Sequence, residues 1–509
     1  MNTPVLIAGA GPTGLTLALF LARHDIRARI VDAKHGPVDQ SRALGVHART
    51  LEFYRFAGIA ERVVARGIKA RTAHVVVGEH EKTSLSLEDM GAGISPFPYM
   101  LTFAQDDHER LLIETLAELG IDIDWNTRLS GFAQDADGVE ATLEGPNGSE
   151  GVTIAYLVGC EGAHSVTREG LGFGFSGGTN EGLFYVADVR TDRPSEDIFV
   201  APAEDTISLI FPVRQDGSQR LLGIVPPELT DREDLGFEDV RDIAERTLGV
   251  KALELNWFSS YHVNHRVAEY FRKERVFLAG DSGHVHSPVG GQGMNTGIGD
   301  AANLAWKLAD VLKGRAAPPL LDSYEPERIA FARVLIETTD RIFGPMVATG
   351  RRSSFLRSVI APNALRLVTH LPGLPQRLFR TVSQTRITYR DGPISEGKAG
   401  SVRGGDRLPW IAEPDNYEPL TSMDWHIHVY GSVGEQMRAA ADRHGLRLHE
   451  MPYSEGARDA GFERDALYLV RPDGHVALAA GERGATRLES YLDRHGLTLN
   501  ATPQELRSA

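Results

Sequence analysis

The clearest chemical signal in this chain is the glycine-rich motif GAGPTG, which begins at Gly9. It follows a short apolar run, Val5–Ala8, that predicts a buried strand, and it opens a segment with helical spacing, Pro12–Arg23. In that context Gly9 permits a tight turn, Gly11 lets a pyrophosphate approach the backbone, and Gly14 lets strand and helix pack closely. The positive end of the helix would stabilise the phosphates. The motif therefore predicts a dinucleotide site, and an ordinary glycine turn is the less favoured interpretation.

A second predicted strand, Ala28–Val31, completes a βαβ unit and ends at Asp32. A carboxylate about twenty residues after the glycines can accept hydrogen bonds from a ribose. Another glycine-rich stretch, GFGFSG from Gly172, has no buried strand before it and no helical pattern after it, so it is interpreted as a loop. We therefore expect one dinucleotide-binding domain and no second one dedicated to a nicotinamide.

The most specific stretch is RVFLAGDSGHVHSPVGGQGMNTGIGDAANLAWK, at residues 275–307. It places Asp281 at a strand end, where a carboxylate can accept hydrogen bonds from sugar or ribityl hydroxyls, and Gly280 lets the backbone come close. The loop that starts at Pro288 carries few side chains and leads into a helix. Its backbone N–H groups could stabilise negative charge on a reduced ring system. A glycine-rich strand-to-helix turn is the alternative.

Together these motifs resemble the class A single-component flavoprotein aromatic hydroxylases, which include para-hydroxybenzoate hydroxylase and the larger phenol, chlorophenol and polyketide hydroxylases. The resemblance covers most of residues 1–345. The stretch GCEGAHSVTR from Gly159 is similar to the family's Asp-Gly signature, although Glu161 replaces the aspartate. The resemblance implies an FAD-dependent monooxygenase that uses NAD(P)H and O2 to hydroxylate a phenolic or polycyclic aromatic substrate through a C4a-hydroperoxyflavin.

The resemblance also assigns site residues. It places Arg42, Pro288 and Gly291 in the catalytic site. The positions expected to contact the cofactor are Gly9, Gly11, Pro12, Thr13, Gly14, Asp32, Arg42, Gln105, Gly280, Asp281, Pro288, Gly291, Gln292, Gly293, Met294 and Asn295. No base for substrate deprotonation can be named from the sequence. The candidates for a substrate pocket are the aromatic and apolar residues at Tyr185, 210–212 and Tyr261.

Other functions remain open or are disfavoured. A Baeyer–Villiger oxygenase on the same scaffold and a flavin-binding protein without turnover are the alternatives. A flavin halogenase is disfavoured because no Trp-x-Trp signature occurs, and a hydrolase lacks a Gly-x-Ser-x-Gly elbow. His284 and His286 are not matched by a carboxylate cluster, and the pair His426 and His428 is more simply structural, so no metal site is expected.

The succession of elements predicts an α/β fold: a glutathione-reductase-type FAD-binding Rossmann domain, an inserted sheet-rich substrate domain and a C-terminal thioredoxin-like domain. The last has no cysteine, so thiol chemistry is excluded and a stabilising or assembly role is expected. The expected ranges are 1–174 for the first part of the FAD domain (with 72–98 contributing to the substrate domain), 175–274 for the substrate domain, 275–345 for completion of the FAD domain, 346–398 for a helical connection and 399–509 for the C-terminal domain.

Composition narrows the partners and the compartment. The net charge of -15 argues against nucleic acid as the main partner. A single cysteine, Cys160, excludes an intramolecular disulfide and fits a reducing cytoplasm. No stretch has the length and apolarity of a membrane span, and no signal peptide is expected at the start. A homodimer is possible, and the sequence does not distinguish NADH from NADPH.

Overall fold

Helices separate single strands and runs of up to five strands along the described chain. The computed structural model describes residues 3–38, 43–77, 80–203, 206–230, 232, 234–286, 291–347, 371, 373–481 and 483–500. Its strands are β1 (Val5–Ala8), β2 (Ala28–Val31), β3 (Gly45–Val46), β4 (Ile68–Ala70), β5 (Thr72–Val77), β6 (His80–Ser86), β7 (Met100–Thr102), β8 (Ile123–Asp124), β9 (Arg128–Gln134), β10 (Val139–Gly145), β11 (Gly148–Ile154), β12 (Tyr156–Gly159), β13 (Phe175–Thr191), β14 (Ile198–Pro202), β15 (Ile207–Pro212), β16 (Gln219–Ile224), β17 (Ala252–Ala268), β18 (Arg272–Lys273), β19 (Val276–Leu278), β20 (His284–Val285), β21 (Glu396–Ala399), β22 (Val402–Arg403), β23 (His426–Tyr430), β24 (Arg447–Met451), β25 (Leu467–Val470) and β26 (Val476–Ala480). Its helices are α1 (Pro12–Arg23), α2 (Ala48–Phe56), α3 (Ala60–Arg66), α4 (Gln105–Glu118), α5 (Val166–Gly170), α6 (Phe237–Leu248), α7 (Gln292–Leu312), α8 (Tyr324–Val347), α9 (Leu374–Val382), α10 (Glu435–Arg443), α11 (Glu455–Asp459) and α12 (Gly484–Arg494).

The central sheet, to which β1 and β2 belong, has the strand order β18-β19-β12-β1-β2-β8. Strands β1, β2, β8, β12 and β19 are parallel, and only β18 runs against its neighbour. All four residues of β1 are buried, as expected for a parallel strand covered on both faces. Helices α1 and α7 pack against each other beside this sheet. Since β19 follows β12 by more than a hundred residues, the chain returns to this sheet after the intervening strands.

A second, eight-stranded sheet has the order β20-β17-β13-β16-β15-β14-β5-β6. Most of its neighbouring strands are antiparallel, and β5 and β6 join it from the range 72–98. Helix α6 covers one face with its buried residues Phe237, Val240 and Ala244. The opposite face lines the cavity described below.

The interpretation of the stretch from Gly172 as a loop is wrong in its second half. Strand β13 begins at Phe175, which pairs with Ala268 of β17. At Gly177 an added Cβ would lie 1.9 Å from the carbonyl oxygen of His265, so a glycine allows the close approach of the partner strand. The pairing partner lies about ninety residues later, and no local pattern signals it.

The C-terminal part folds as β23-α10-β24-α11-β25-β26-α12, and its sheet has the order β22-β21-β26-β25-β23-β24. Strands β23 and β24 are parallel, whereas β25 is antiparallel to both β23 and β26. The four strands β24, β23, β25 and β26 have the arrangement of the thioredoxin fold. A hairpin at Asp473 and Gly474 joins β25 to β26, and Gly474 has a φ of +74°. Within the described residues, no helix has the length and apolarity needed to cross a membrane.

Candidate functional site

One cavity of about 1300 Å³ joins the two large sheets. It is larger than the roughly 300–1,000 Å³ of typical small-molecule pockets. On the side of the parallel sheet it is lined by strand ends and strand-to-helix turns, among them Gly9, Gly11, Pro12, Thr13, Asp32, Gln105, Glu161, Gly162, Asp281, Gly291, Gln292, Gly293 and Met294. On the other side it is lined by the open face of the eight-stranded sheet. The cavity therefore brings most of the predicted cofactor positions together beside a mostly apolar wall.

The glycines after β1 have distinct steric roles. A Cβ on Gly9, whose φ is +105°, would lie 2.3 Å from the carbonyl oxygen of Cys160, and one on Gly14 would lie 2.0 Å from the carbonyl oxygen of Gly9. At Gly11 a Cβ would meet no described atom within 4 Å. Gly9 and Gly14 therefore allow close packing, while Gly11 leaves the backbone open to the cavity, as the motif predicts.

Asp32, which follows β2, is held by backbone N–H groups of the turns after β1 and β2. Its Oδ2 accepts a hydrogen bond of 2.7 Å from the backbone N–H of Ala10, and its Oδ1 accepts one of 2.8 Å from that of Lys34. The Lys34 ammonium lies 3.6 Å from Oδ2. Each carboxylate oxygen has a second acceptor position. Asp32 can thus fix the turn and still accept a hydrogen bond from a hydroxyl in the cavity.

Gln105, the first residue of α4, also reaches the cavity. Its Oε1 accepts a bond of 3.4 Å from the backbone N–H of Ala43, and its Nε2 donates to Glu109 at 2.9 Å. Burial raises the pKa of Glu109, although its bond from Gln105 and the charge of Lys34 oppose that shift. Sequence reasoning missed Glu109, because a lone acidic residue in an amphipathic helix has no distinguishing pattern.

Asp281 has the opposite environment to Asp32. It lines the cavity and is accessible from it, yet its carboxylate accepts no hydrogen bond from the described residues. The surrounding protein raises the pKa of this carboxyl by desolvation. Beside it, Gly280 has a φ of +62°, and a Cβ there would lie 2.5 Å from Oγ1 of Thr13. The site thus presents a carboxylate that lacks a partner, next to a backbone position that tolerates only glycine.

The start of α7 forms the adjoining wall. Gly291 has a φ of +62° in the left-handed region and is the N-cap of the helix. Gln292 is anchored behind the wall, since its Nε2 donates to the carbonyl of Val382 and its Oε1 accepts from Gln384. An added Cβ at Gly293 would meet no described atom within 4 Å, so its backbone faces open space.

Asn295 is fully buried and is not among the residues that line the cavity. Its Nδ2 donates to the carbonyls of Gly45 and Gly291, and its Oδ1 accepts from the backbone N–H of His47. It therefore fixes β3 and the residue that follows it against the start of α7. Gly14 and Gly280 likewise shape the wall without lining the cavity, whereas Arg42 and Pro288 lie outside the described residues.

Glu161, which departs from the family's usual aspartate, binds three hydroxyl side chains. Its carboxylate accepts from the hydroxyls of Ser165, Thr167 and Ser282 at 2.7, 2.5 and 3.3 Å, and from the backbone N–H of Thr167. Ser282 also accepts from the backbone N–H of Gly162. Glu161 thereby ties the turn after β12 to the turn after β19, on either side of the cavity floor.

A buried polar network lies behind Asp281. His284 donates through Nε2 to Asp300 at 2.6 Å and lies 2.8 Å from His286 through Nδ1, while Arg328 donates to the other oxygen of Asp300. Although burial opposes it, the charge of Arg328 lowers the pKa of Asp300 to about 2. In the described part of the chain, no three His, Cys, Asp or Glu side chains gather in a way that could hold a metal ion. The sequence drew attention to both histidines but not to Asp300 or Arg328.

The substrate-sheet candidates divide between two faces. Tyr261 and Phe211 line the cavity, together with Phe184, Leu209, Leu222 and Trp257. Tyr185 and Ile210 are buried on the opposite face against α6, so their assignment to the pocket is wrong. Successive strand residues point to opposite faces, and the sequence did not identify which face α6 covers.

Comparison with known proteins agrees with this geometry. The FAD binding domain family matches residues 2–339. The chain is 33% identical to 6-methylpretetramide 4-monooxygenase of Streptomyces rimosus, over 96% of this chain and 92% of that protein. It is also 33% identical to dialkyldecalin synthase of Streptomyces rugosporus, over 97% and 98% of the two chains. A ternary complex of aklavinone-11 hydroxylase with FAD and aklavinone superposes with a TM-score of 0.78 at 26% identity, over 98% of this chain and 100% of that one.

The fold and the cavity define an FAD-dependent aromatic hydroxylase, as the resemblance predicted. The chain belongs to the FAD binding domain family and is an FAD-dependent monooxygenase. Its own residues fit the cofactor: the open backbone at Gly11 suits a pyrophosphate, and the unpartnered carboxylate of Asp281 suits a hydroxyl donor.

Proposed function

We propose that this protein hydroxylates a flat, polycyclic phenolic substrate, with NAD(P)H as the reductant and O2 as the oxidant. The observation that carries the proposal is the continuity of the cavity, which runs from the glycine turn after β1 to the apolar face of the eight-stranded sheet. A cofactor and a substrate can therefore share one water-poor space. The names of the hydroxylating relatives, which act on fused-ring compounds, support this substrate class.

In the proposed site, FAD supplies the redox chemistry and the activation of oxygen. The backbone at Gly11, Pro12 and Thr13 would hold the phosphates at the start of α1, with Asp32 and Gln105 beside the ribose. Asp281 would accept hydrogen bonds from the ribityl chain, and the backbone of 291–294 would stabilise negative charge on the ring. Arg42, Pro288 and Gly291 are proposed as the catalytic positions.

The substrate end of the cavity would orient the aromatic rings. Phe184, Phe211, Trp257 and Tyr261 offer aromatic faces to a planar molecule, and such contacts prefer offset or edge-on geometries. The apolar side chains of Leu209, Leu222 and their neighbours exclude water from the reacting centre. A polar rim of Ser259, His262 and Asn264 can contact the substrate's hydroxyl or carbonyl groups.

The proposed division of labour follows the ranges given above. Residues 1–174 and 275–345 would hold FAD, residues 175–274 with 72–98 would hold the substrate, residues 346–398 would form a helical connection, and residues 399–509 would stabilise the assembly. With a single dinucleotide motif, NAD(P)H would meet the flavin transiently across the shared cavity. A cytoplasmic location and a homodimer belong to the same proposal.

The purified protein should be yellow and should release its FAD on heating or acidification, because no covalent tether is expected.

Stopped-flow reduction under anaerobic conditions tests the function. Fused-ring phenols such as aklavinone and anhydrotetracycline serve as probes. A true substrate should accelerate flavin bleaching by NAD(P)H by about tenfold or more, since occupancy of the cavity biases a two-state reduction step. Conversion of a substrate without NAD(P)H consumption or oxygen incorporation would contradict the proposal.

A further inference from the structure

The hairpin of β15 and β16 extends from the substrate end of the cavity to the cofactor side. Leu209 and Phe211 on β15, and Arg220 and Leu222 on β16, point from this hairpin into the cavity. Leu209 pairs with Leu222, and Phe211 pairs with Arg220. A substrate that packs against these side chains therefore acts on both strands of one hairpin.

The tip of the hairpin is clamped to the first turn of α4. Arg214 donates through Nε to Asp107 at 2.9 Å and through a terminal nitrogen to Asp106 at 2.5 Å. The Asp106 side chain is 4% exposed, whereas that of Arg214 is 31% exposed. Next to it, Gln215 donates to the backbone carbonyl of Ala65 at 2.9 Å. A guanidinium that spans two carboxylates fixes the distance and the orientation of the hairpin tip relative to α4. The tip therefore cannot slide along α4 without breaking charge-assisted bonds.

The clamped end of α4 is in turn bonded to the loop Ala43 to Gly45, which lines the cavity. The backbone N–H of Gln105 donates to the carbonyl of Ala43 at 3.1 Å, and that of Phe103 donates to the carbonyl of Leu44 at 2.7 Å. Leu44 also forms a small buried cluster with Ala104 and Val213, and the cavity-lining Phe211 packs against this cluster. The hairpin and the loop thus share both polar and apolar contacts.

The loop is joined directly to the start of α7. Asn295 donates from one amide to the carbonyl of Gly45 at 2.9 Å and to that of Gly291 at 2.7 Å. A continuous set of contacts therefore runs from Phe211, through the tip and the start of α4, to the wall at Gly291. None of these residues lies in the core that α6 builds on the other face of the sheet.

We infer that Arg214 is a positioning residue, which couples occupancy of the substrate end of the cavity to the geometry of the loop Ala43 to Gly45. The inference rests on the proposed function, because it concerns how a bound substrate stimulates reduction of the flavin. A displacement of Phe211 by a substrate is transmitted to the loop because the tip is held at Asp106 and Asp107. Without the clamp, the described contacts carry the displacement to the loop only through the apolar cluster of Leu44 and Val213 and the weak bond of 3.5 Å from Arg220 to the carbonyl of Ala43, so the coupling is reduced.

Arg214→Ala is the decisive variant, and Arg110→Ala is its matched control. Arg110 also donates to Asp106 and Asp107, at 2.9 and 3.1 Å, but these two bonds lie within one helix and do not join it to the hairpin. Both variants remove one cation from the same two carboxylates. Only Arg214→Ala should affect the coupling. Arg214→Lys keeps a positive charge but loses the two-pronged guanidinium, so its coupling should be intermediate between those of Arg214→Ala and the natural protein.

The functional measurement is the ratio of two rates of flavin reduction, with and without a saturating aromatic probe. The reductant is NADH or NADPH, whichever reduces the natural protein faster, and the probe is the compound that stimulates the natural protein most. In Arg214→Ala this ratio should fall by about fivefold or more, within the range of ordinary coupling between sites. The rate without the probe and the affinity for FAD should stay within about twofold. An unchanged ratio, or an equal fall in Arg110→Ala, would overturn the inference.

Hydrogen exchange in the FAD-bound protein separates a failure of this inference from a failure of the proposed function. The amides of Phe103 and Gln105, which donate to the loop, should exchange about fivefold or more faster in Arg214→Ala than in the natural protein or in Arg110→Ala. If no aromatic probe stimulates the natural protein, the proposed function fails while this measurement still decides the coupling. Equal exchange in all three proteins would overturn it.

Discussion

Two aspartates at the cofactor side of the cavity show how environment assigns a role to a residue type. Asp32 is already held by two backbone N–H groups, so its first task is to fix the turn after β2. Asp281 accepts no hydrogen bond from the described residues and is exposed to the cavity, and desolvation by the surrounding protein raises its pKa. Its carboxylate oxygens are therefore open to hydrogen bonds from a ligand. Loss of the carboxylate at Asp281 should therefore weaken FAD binding more directly than loss of the one at Asp32.

Replacing Asp281 by alanine should weaken FAD binding by about tenfold or more, because each charge-assisted hydrogen bond contributes roughly 1.5–3 kcal/mol. The dissociation constant can be measured from the recovery of flavin fluorescence on dilution. Since the pKa of Asp281 is raised, its carboxylate becomes protonated as the pH falls towards that pKa, and the natural protein should lose affinity for FAD. Asp281→Asn should flatten this pH dependence.

Asp459→Ala is a suitable control, because the Asp459 side chain is 71% exposed at the end of α11, far along the chain from the cavity. It should retain FAD like the natural protein. Equal retention in Asp281→Ala and Asp459→Ala would show that the carboxylate of Asp281 does not contact the cofactor.

The sequence predicted those residues of the site whose roles follow from local sterics. Gly9, Gly11 and Gly14 could be interpreted because each role depends on the strand and helix immediately beside it. The partners of Glu161 and Asp300 could not be predicted, since Ser282 and Arg328 reach them from distant parts of the chain. Arg42 and Pro288 rest on family resemblance alone and remain predictions.

At the level of single elements, apolar runs predicted positions well and faces poorly. The bounds of β1, α1 and β2 agree with the sequence prediction to the residue. In β15, however, Ile210 and Phe211 are both apolar, and only the packing of α6 decides which of them is core. Alternation gives the period of a strand but not its orientation when both faces are covered by apolar material.

Adjacent substitutions in β15 should therefore have opposite consequences. Ile210→Ala should destabilise the protein by about 2–5 kcal/mol, because its side chain is 1% exposed in the core under α6, and should leave the affinity for an aromatic substrate nearly unchanged. Phe211→Ala should raise the KM or the dissociation constant of that substrate several-fold, with a smaller loss of stability.

Urea unfolding and substrate titration of both variants measure the two effects. If Ile210→Ala impaired substrate binding more than Phe211→Ala did, the assignment of the two faces of the sheet would be wrong.

Across the whole molecule, the C-terminal part is joined to the FAD-binding part by buried charges. Glu52 of α2 accepts from Arg407 at 2.6 and 2.9 Å and from Arg49 at 2.9 Å. Burial would raise the pKa of Glu52, but the two arginines more than offset that effect and lower it to about 2. Removing one partner of such a group leaves an uncompensated buried charge. No sequence pattern links residues 52 and 407, so this interface could not be predicted.

The depressed pKa of Glu52 fixes a dependence of stability on pH. A carboxylate whose pKa is lower in the folded than in the unfolded state stabilises the fold above its ordinary pKa of 4.5, and this contribution is lost as the pH falls towards about 2. Glu52→Gln should lower the free energy of unfolding by about 3 kcal/mol at pH 7 and reduce the loss of stability between pH 7 and acid.

Urea unfolding of the two proteins at a series of pH values provides the measurement. Glu144→Gln is the control, since Glu144 pairs with Arg128 on an exposed hairpin and should contribute less than about 1 kcal/mol. Parallel pH profiles for the natural protein and Glu52→Gln would contradict the assignment.

A second buried group makes the two parts of the chain one cooperative unit. Glu327 of α8 accepts from Arg471, on the hairpin of β25 and β26, at 2.7 and 3.0 Å, and from Lys307 of α7 at 2.8 Å. Trp306 of α7 meets Trp425 edge to face, with ring centroids 5.3 Å apart. Since α7 begins at the cofactor side of the cavity, separation of the C-terminal part would leave charges and an indole unpaired on the helix that forms the cavity wall.

Heating should consequently unfold the whole chain and release FAD in a single transition, even though the C-terminal part has its own sheet. Arg471→Met should lower the temperature of that transition for both parts together, because the charge balance at Glu327 is lost from the shared interface. Calorimetry, tryptophan fluorescence and flavin release should give coincident midpoints, and Arg458→Ala, on the exposed surface of the same part, should leave them unchanged. If FAD stayed bound after the tryptophan signal had changed, the C-terminal part would be an independent unit, and its proposed stabilising role would be excluded.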